Sequence, residues 1–342
     1  MKFNSIQALR ALAAIIVVTL HAQGIVPKYT STITKSGEWM GCFGAYGVDL
    51  FFVISGFAIA YTIHRSNPTP GEFLLRRLIR IVPLYWSLTL FYVFLAWVLP
   101  VAFNDGSQVT ATHLGTSIAF VSFLNNPVPI LGVGWTLEYE MLFYLVSFVV
   151  LLFTSSLFVP VTILFMGFIV FGNIDFGFVN LSAFFKNQII FEFILGLAIA
   201  KFYLEKRLLL RHGILLLIAL AMTLFATEGY RLFYAGIPAA IIVLLALRYD
   251  YLLMRLGAMK WLKVMGDASY CLYLIQVFII PCLAKLFFQF FPGINTDLFV
   301  LTTLCIAVIS SIIMHRWFEQ PLLRALNAIR FYSLPARRAH TL

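Results

Sequence analysis

The run IQALRALAAIIVVTLHAQGIV, from Ile6 to Val26, is long and apolar enough to cross a bilayer, yet it holds two ionisable side chains, Arg10 and His21. Eleven helical positions at 100° each come to three turns and about 20°, so the two share a face, separated by about 16 Å along the axis. Ionisable groups inside a bilayer are costly and face a bundle interior or a wet cavity. An arginine at the mouth and an imidazole deep inside read as an anion anchor and a base in one pocket. The rest of the chain is expected to be built around this helix. The alternatives are a snorkelling topology anchor for Arg10 and a helix–helix hydrogen bond for His21.

Working outward, the whole chain has the same character. Its 342 residues are 62% hydrophobic and 11% charged, a balance that excludes a soluble domain and predicts an all-α, polytopic membrane bundle. The net charge of +10 does not indicate nucleic acid, because the basic residues fall in short loops between apolar runs. The 35 phenylalanines suit lipid-facing surfaces. Cys42, Cys271, Cys282 and Cys305 lack metal-type spacing and read as buried, bland thiols. The first run follows Lys2 as a signal peptide would, but His21-Ala22-Gln23 is a poor cleavage site, so the segment is expected to be retained.

Spanning runs fall at 6–26, 44–64, 79–100, 132–153, 155–172, 186–204, 209–226, 231–248, 266–290 and 298–318. Ten spans put both termini on one side, and 19 of the 24 Lys and Arg residues then fall on that side. That asymmetry places the termini in the cytoplasm of an inner-membrane protein. Residues 1–325 are expected to form the transmembrane domain and 326–342 a basic cytoplasmic tail. Residues 113–123 are apolar but too short to span, and suit a re-entrant or interfacial piece within the long outer segment 101–131.

Three further constellations carry candidate chemistry. Arg76, Arg77 and Arg80 gather three guanidiniums into about a 100° arc just before the third span, which suits bidentate phosphate binding or, alternatively, topology and anionic lipid. In Trp135-Thr-Leu-Glu138-Tyr-Glu140, about 200° separates the two acids on a helix, so they cannot share a pocket. Glu140 is the better candidate, with Trp135 and Tyr144 as aromatic contacts for a substrate, while Glu138 reads as solvated. In Gly47–Phe57, Asp49 could orient His21 or pair with an arginine, and Gly56 on the same face allows close helix approach. Glu192 is a further intramembrane acid without a nameable partner.

Taken in order, Arg10 with His21, the Gly47–Phe57 run, Arg76-Arg77-x-x-Arg80, Trp135-Thr-Leu-x-x-Glu140, Gly266-Asp-Ala-Ser-Tyr270 with Tyr273-Leu274, and Glu319-x-Pro321 resemble the acyltransferase-3 family over residues 3 to 325. The Trp135-Thr-Leu-Glu-Tyr-Glu140 form resembles its exopolysaccharide O-acetyltransferase branch. The resemblance implies a membrane enzyme that moves an acetyl group from acetyl-CoA to a hydroxyl of a polysaccharide or lipid-linked oligosaccharide. It implies a catalytic role for His21 and donor contacts for Arg10, Arg76, Arg77 and Arg80. Many members have a histidine where this chain has Gln276, and some carry a hydrolase-like extracytoplasmic domain, which is not expected here. Glu140 or Asp49 would then hold the imidazole's tautomer, and no metal is expected. The rival class is a transporter or flippase of a lipid-linked saccharide, with the Arg, His and acids as a relay; internal inverted repeats would mark it, and none is evident.

Overall fold

The computed structural model describes residues 3–30, 46–99, 109–126, 128–174, 179–205, 231–253, 259–291, 293 and 295–333. Among the described residues there are helices and no strands. In chain order they are α1 (Asn4–Ile25), α2 (Tyr46–Ser66), α3 (Pro70–Val98), α4 (Ala111–Ile118), α5 (Trp135–Leu151), α6 (Phe158–Gly172), α7 (Val179–Lys186), α8 (Ile190–Leu204), α9 (Ile237–Arg248), α10 (Asp250–Leu253), α11 (Met259–Asp267), α12 (Ser269–Phe290), α13 (Thr296–Met314) and α14 (Gln320–Ser333).

Seven helical stretches are long and apolar enough to cross a membrane: Asn4–Lys28, Tyr46–Ser66, Pro70–Val98, Gly132–Leu151, Asn180–Leu204, Ser269–Phe290 and Thr296–Ala328. The expected spans 155–172 and 231–248 form the shorter apolar helices Phe158–Gly172 and Leu232–Arg248. The expected span 209–226 lies outside the described residues. Two boundaries differ from expectation. The third span begins at Pro70 rather than residue 79, because Thr69 and Glu72 form a capping box around it. The last span passes through a π-helical turn, His315–Glu319, into α14, which runs on past residue 326 to Ser333.

Helix α1 sits at the centre, packed against α2, α9, α11, α12 and α13. It runs antiparallel to α2: Phe3 meets Phe57 and Tyr61 at one end, and Gly47 faces Ala13 and Val17 further along. Helix α2 presses hardest on α8 at Gly56 and Gly196. A Cβ on Gly56 would collide with the Phe193 carbonyl, and one on Gly196 with that of Val53. With no hydrophobic drive between helices in lipid, such small-residue contacts supply the packing.

The phenylalanines do more than face lipid. Phe143 stacks on Phe193 at 4.3 Å, both fully buried with Phe165, while Phe94 and Phe153 face outward. The short segment after residue 110 packs back onto the bundle. The Tyr85 hydroxyl and the Trp86 indole N–H donate to the carbonyls of Ser117 and Ile118.

Candidate active site

Five helices line the first cavity, about 110 Å³, with Arg10 from α1, Arg77 and Arg80 from α3, Glu140 and Tyr144 from α5, and Tyr270 and Tyr273 from α12. Ser55 and Phe51 of α2 close its wall. A second cavity of about 330 Å³ is lined by Arg10 and Arg80 again, together with Arg76, residues of α11 and α14, and His315 and Glu319 of the turn between α13 and α14. The arginine cluster therefore divides: Arg77 faces the first space, Arg76 the second, and Arg80 both. Because α3 starts at Pro70, these three lie inside the helix and not before it.

None of Arg10, Arg76, Arg77 and Arg80 hydrogen-bonds or ion-pairs with any described residue. Arg77 rests its guanidinium over the rings of Phe73 and Tyr144, at 5.7 and 5.9 Å. The one carboxylate in the first cavity, Glu140, accepts instead from Ser55 Oγ at 3.2 Å and from the Tyr144 hydroxyl. Arg10 and Arg77 are half-buried while Arg76 and Arg80 are exposed, and guanidiniums without a carboxylate partner, lining a cavity, have the donor chemistry to hold an anion.

Tyr273 and Thr136 join hydroxyls at 2.7 Å near the other end of this cavity, and Tyr273 also donates to the Val133 carbonyl at 2.6 Å. Val48, another lining residue, follows Gly47, whose level on α1 is Ala13 to Val17. His21 lies one further turn along α1, about 6 Å beyond Val17, and is exposed. It does not line the cavity, so the single pocket read from the sequence resolves into a cavity and an imidazole just past its end.

The imidazole is held by a residue that the sequence did not nominate. His21 Nδ1 lies 3.0 Å from Gln276 Oε1. Gln276 Nε2 donates to the Tyr273 carbonyl at 2.9 Å, which only an N–H can do, so the amide oxygen must face His21. The proton is thereby fixed on Nδ1 and the lone pair on Nε2, which has no hydrogen-bond partner among the described residues. Gln276, read from the sequence as a lost titrating group, thus orients the histidine. Neither Glu140 nor Asp49 occupies that position.

Asp49 faces Arg231, just before the π-helical turn Leu232–Gly236 that leads into α9, instead of the cavity. Its oxygens accept from Arg231 Nε and Nη2 at 2.9 and 3.0 Å, the bidentate pairing left open as its alternative role. Glu192, fully buried, places Oε1 3.8 Å from the same Nε, so two acids share one guanidinium. Glu138 reverses expectation: it is 4% exposed and accepts from Ser122 N–H at 2.7 Å and Ser122 Oγ at 2.5 Å. The 200° between Glu138 and Glu140 is obeyed, since one faces this segment and the other the cavity. Trp135 packs edge-on against Tyr139 and does not line the cavity.

An acid–imidazole group, of which the spacing shows only the i,i+4 pair His315 and Glu319, brings together Cys271, His315 and Glu319 within 4.8 Å. Glu319 Oε2 accepts from His315 Nδ1–H at 2.6 Å and from the Cys271 thiol at 3.0 Å, and Gln320 donates to His315 Nε2 at 3.0 Å. The three side chains are thus hydrogen-bonded within one group. Of the thiols, Cys271 is buried, Cys282 and Cys305 are exposed, and Cys42 lies outside the described residues.

Fold and site together define a multi-pass membrane protein with an arginine-lined cavity and an oriented imidazole beyond its end. The acyltransferase-3 family model, described as an acyltransferase domain, matches residues 3–316, and the chain belongs to that family. It is also similar to the exopolysaccharide production protein ExoZ of Rhizobium meliloti (strain 1021), at 32% identity over 326 residues, covering 86% of this chain and 95% of that protein. No solved structure matches it significantly.

Proposed function

We propose that the protein transfers an acetyl group from cytoplasmic acetyl-CoA to a hydroxyl of an exopolysaccharide or its lipid-linked precursor. The observation that carries this reading is the set of four guanidiniums that have no hydrogen-bond or carboxylate partner among the described residues, at two adjoining cavities. The donor's phosphates would rest on Arg10, Arg77 and Arg80, on the side expected to be cytoplasmic from the Lys and Arg excess. The pantetheine arm would run along the first cavity past Glu140 and the tyrosines, bringing the thioester towards its far end. The acceptor would approach from the exposed side of His21.

There, His21 Nε2 would take the proton of the attacking hydroxyl as the new C–O bond forms and the C–S bond breaks. The Gln276 oxygen would meanwhile stabilise the positive charge developing on Nδ1–H. The departing CoA thiolate would then accept the proton. Glu140, buttressed by Ser55 and Tyr144, would balance the guanidiniums and shape the donor channel. Exopolysaccharide as acceptor is supported by the name of the Rhizobium relative and by the family.

The test is chemical. NMR of the polysaccharide from cells with and without the protein should show O-acetyl signals only with it, and purified protein should consume acetyl-CoA. Replacing Arg10 or Arg77 by alanine should raise KM for acetyl-CoA roughly 10- to 150-fold, as expected when a charged contact of about 1.5–3 kcal/mol is lost. Replacement by lysine should cost less, since it keeps charge but not the fork. Saccharide movement without acetyl-CoA consumption would make the protein a flippase.

A further inference from the structure

We propose that Cys271, His315 and Glu319 form a binding site for a zinc-class divalent cation, with its fourth coordination position opening on the second cavity. The site stands independently of the acyl-CoA reading. Two parts of the fold supply the ligands. Cys271 comes from the first turn of α12, and His315 and Glu319 bound the π-helical turn that joins α13 to α14. A π-turn is a rare departure from the α-helical ladder and is frequent at functional sites. It brings the imidazole and the carboxylate to a thiol that lies 48 residues from Glu319 in the chain, so no ligand spacing is legible in the sequence. A thiolate, an imidazole and a carboxylate form a mixed donor set that suits Zn²⁺, whereas Mg²⁺ and Ca²⁺ take oxygen ligands.

Glu319 Oε2 lies between the other two ligands, 2.6 Å from His315 Nδ1 and 3.0 Å from Cys271 Sγ. A relay that activates a thiol nucleophile needs the imidazole in the middle, so this cluster is not arranged for attack by Cys271. It is arranged around one point, with three donor atoms within 4.8 Å of one another. Around zinc, at about 2.3 Å from sulfur and about 2.0–2.2 Å from nitrogen and oxygen, tetrahedral donors stand about 3.3–3.6 Å apart. The two hydrogen bonds need open by only about 0.5–0.8 Å for the ion to replace the two protons they share. The thiol proton leaves to solvent. The imidazole proton moves to Nε2, 3.0 Å from Gln320, whose amide turns its oxygen to accept it and releases the exposed Arg324. Zn²⁺ with one thiolate and one carboxylate carries no net charge. The buried site is therefore left without an uncompensated charge, and Arg10 and Arg80 of the adjoining cavity do not oppose it. Cys271 and Glu319 are buried, at 0% and 5% exposure. His315 and Glu319 both line the cavity of about 330 Å³, which has room for water as the fourth ligand.

The test uses full-length protein in nanodiscs, purified on a tag free of histidine, loaded with zinc and exchanged into metal-free buffer. Elemental analysis should find about one zinc per chain in wild type and under about a tenth of that in Cys271→Ser. Serine keeps a hydroxyl to donate to Glu319, so a cluster held by hydrogen bonds alone would show no difference between the two. Saturating zinc should raise the melting temperature of wild type by about 3 °C or more and leave that of Cys271→Ser unmoved. Cobalt in place of zinc should give wild type a thiolate-to-metal charge-transfer absorption that Cys271→Ser lacks. Cys282→Ser, which alters an exposed thiol, should match wild type in all three measurements. Zinc lost from wild type on buffer exchange, a cobalt spectrum without the sulfur band, or equal zinc in wild type and Cys271→Ser would each overturn the site. The cobalt spectrum is read on wild type alone, so it decides the matter even where Cys271→Ser fails to fold.

Discussion

Replacing Gln276 by leucine removes the acceptor from His21 Nδ1 while keeping a side chain of similar size on α12. In the resting protein the lost bond is neutral, and the freed imidazole relaxes into the other tautomer with water as partner. In the transition state Nδ1–H carries developing positive charge, and the bond to Oε1 at 3.0 Å becomes charge-assisted. Such a bond is worth about 1.5–3 kcal/mol, so kcat should fall by roughly 10- to 150-fold at about 1.4 kcal/mol per tenfold. KM for acetyl-CoA should not move, because Gln276 lies off the donor cavity. Gln276→His keeps an acceptor on the same helix face and should recover most of the rate. The assay is steady-state acetyl transfer to polysaccharide by purified protein, with its melting temperature as the check on folding. A folded Gln276→Leu protein within threefold of wild-type kcat would refute the reasoning, as would a loss that appeared mainly in KM.

Asp49→Asn should lower the melting temperature in detergent without lowering kcat of the folded fraction. Arg231 is partly exposed, 28%, which discounts the loss from the 3–5 kcal/mol of a fully buried broken pair to roughly 1–3 kcal/mol. Glu138→Ala strands the Ser122 N–H and should destabilise by about 1–3 kcal/mol, read from the same melts, with KM for acetyl-CoA unchanged. Reporter fusions after Arg65, Lys260 and Arg324 should all report cytoplasm, and fusions within 101–131 should not; one reversed position would change the span count.

The sequence disclosed what depends on local periodicity and missed what depends on distant approach. The shared face of Arg10 and His21 was legible because 11 steps of a helix close to within about 20°. The separation of Glu138 from Glu140 followed from the same arithmetic, although which was the more buried did not. Glu138 is buried by a short segment that folds back, and no periodicity announces that. The Arg231 partner of Asp49 lies 182 residues away and the Gln276 partner of His21 lies 255 away, distances that only helix packing can close. Arg231 did leave a trace, as one of five basic residues on the sparsely charged side. Gln276 left a fainter one, being an amide buried among apolar residues one turn beyond Tyr273. The early start of α3 was legible too, in Thr69-Pro70-x-Glu72, but hydropathy alone placed it nine residues late.

The central claim is that His21 is the base of an acyl transfer, and the direct measurement is the passage of labelled acetyl from acetyl-CoA to polysaccharide in vesicles containing either wild-type protein or His21→Ala. A positioned general base contributes roughly 10²–10⁴-fold. The variant should therefore insert and bind donor normally while transferring label at no more than about 1% of the wild-type rate. Transfer above a tenth of wild type, by protein of equal abundance and stability, would contradict the account.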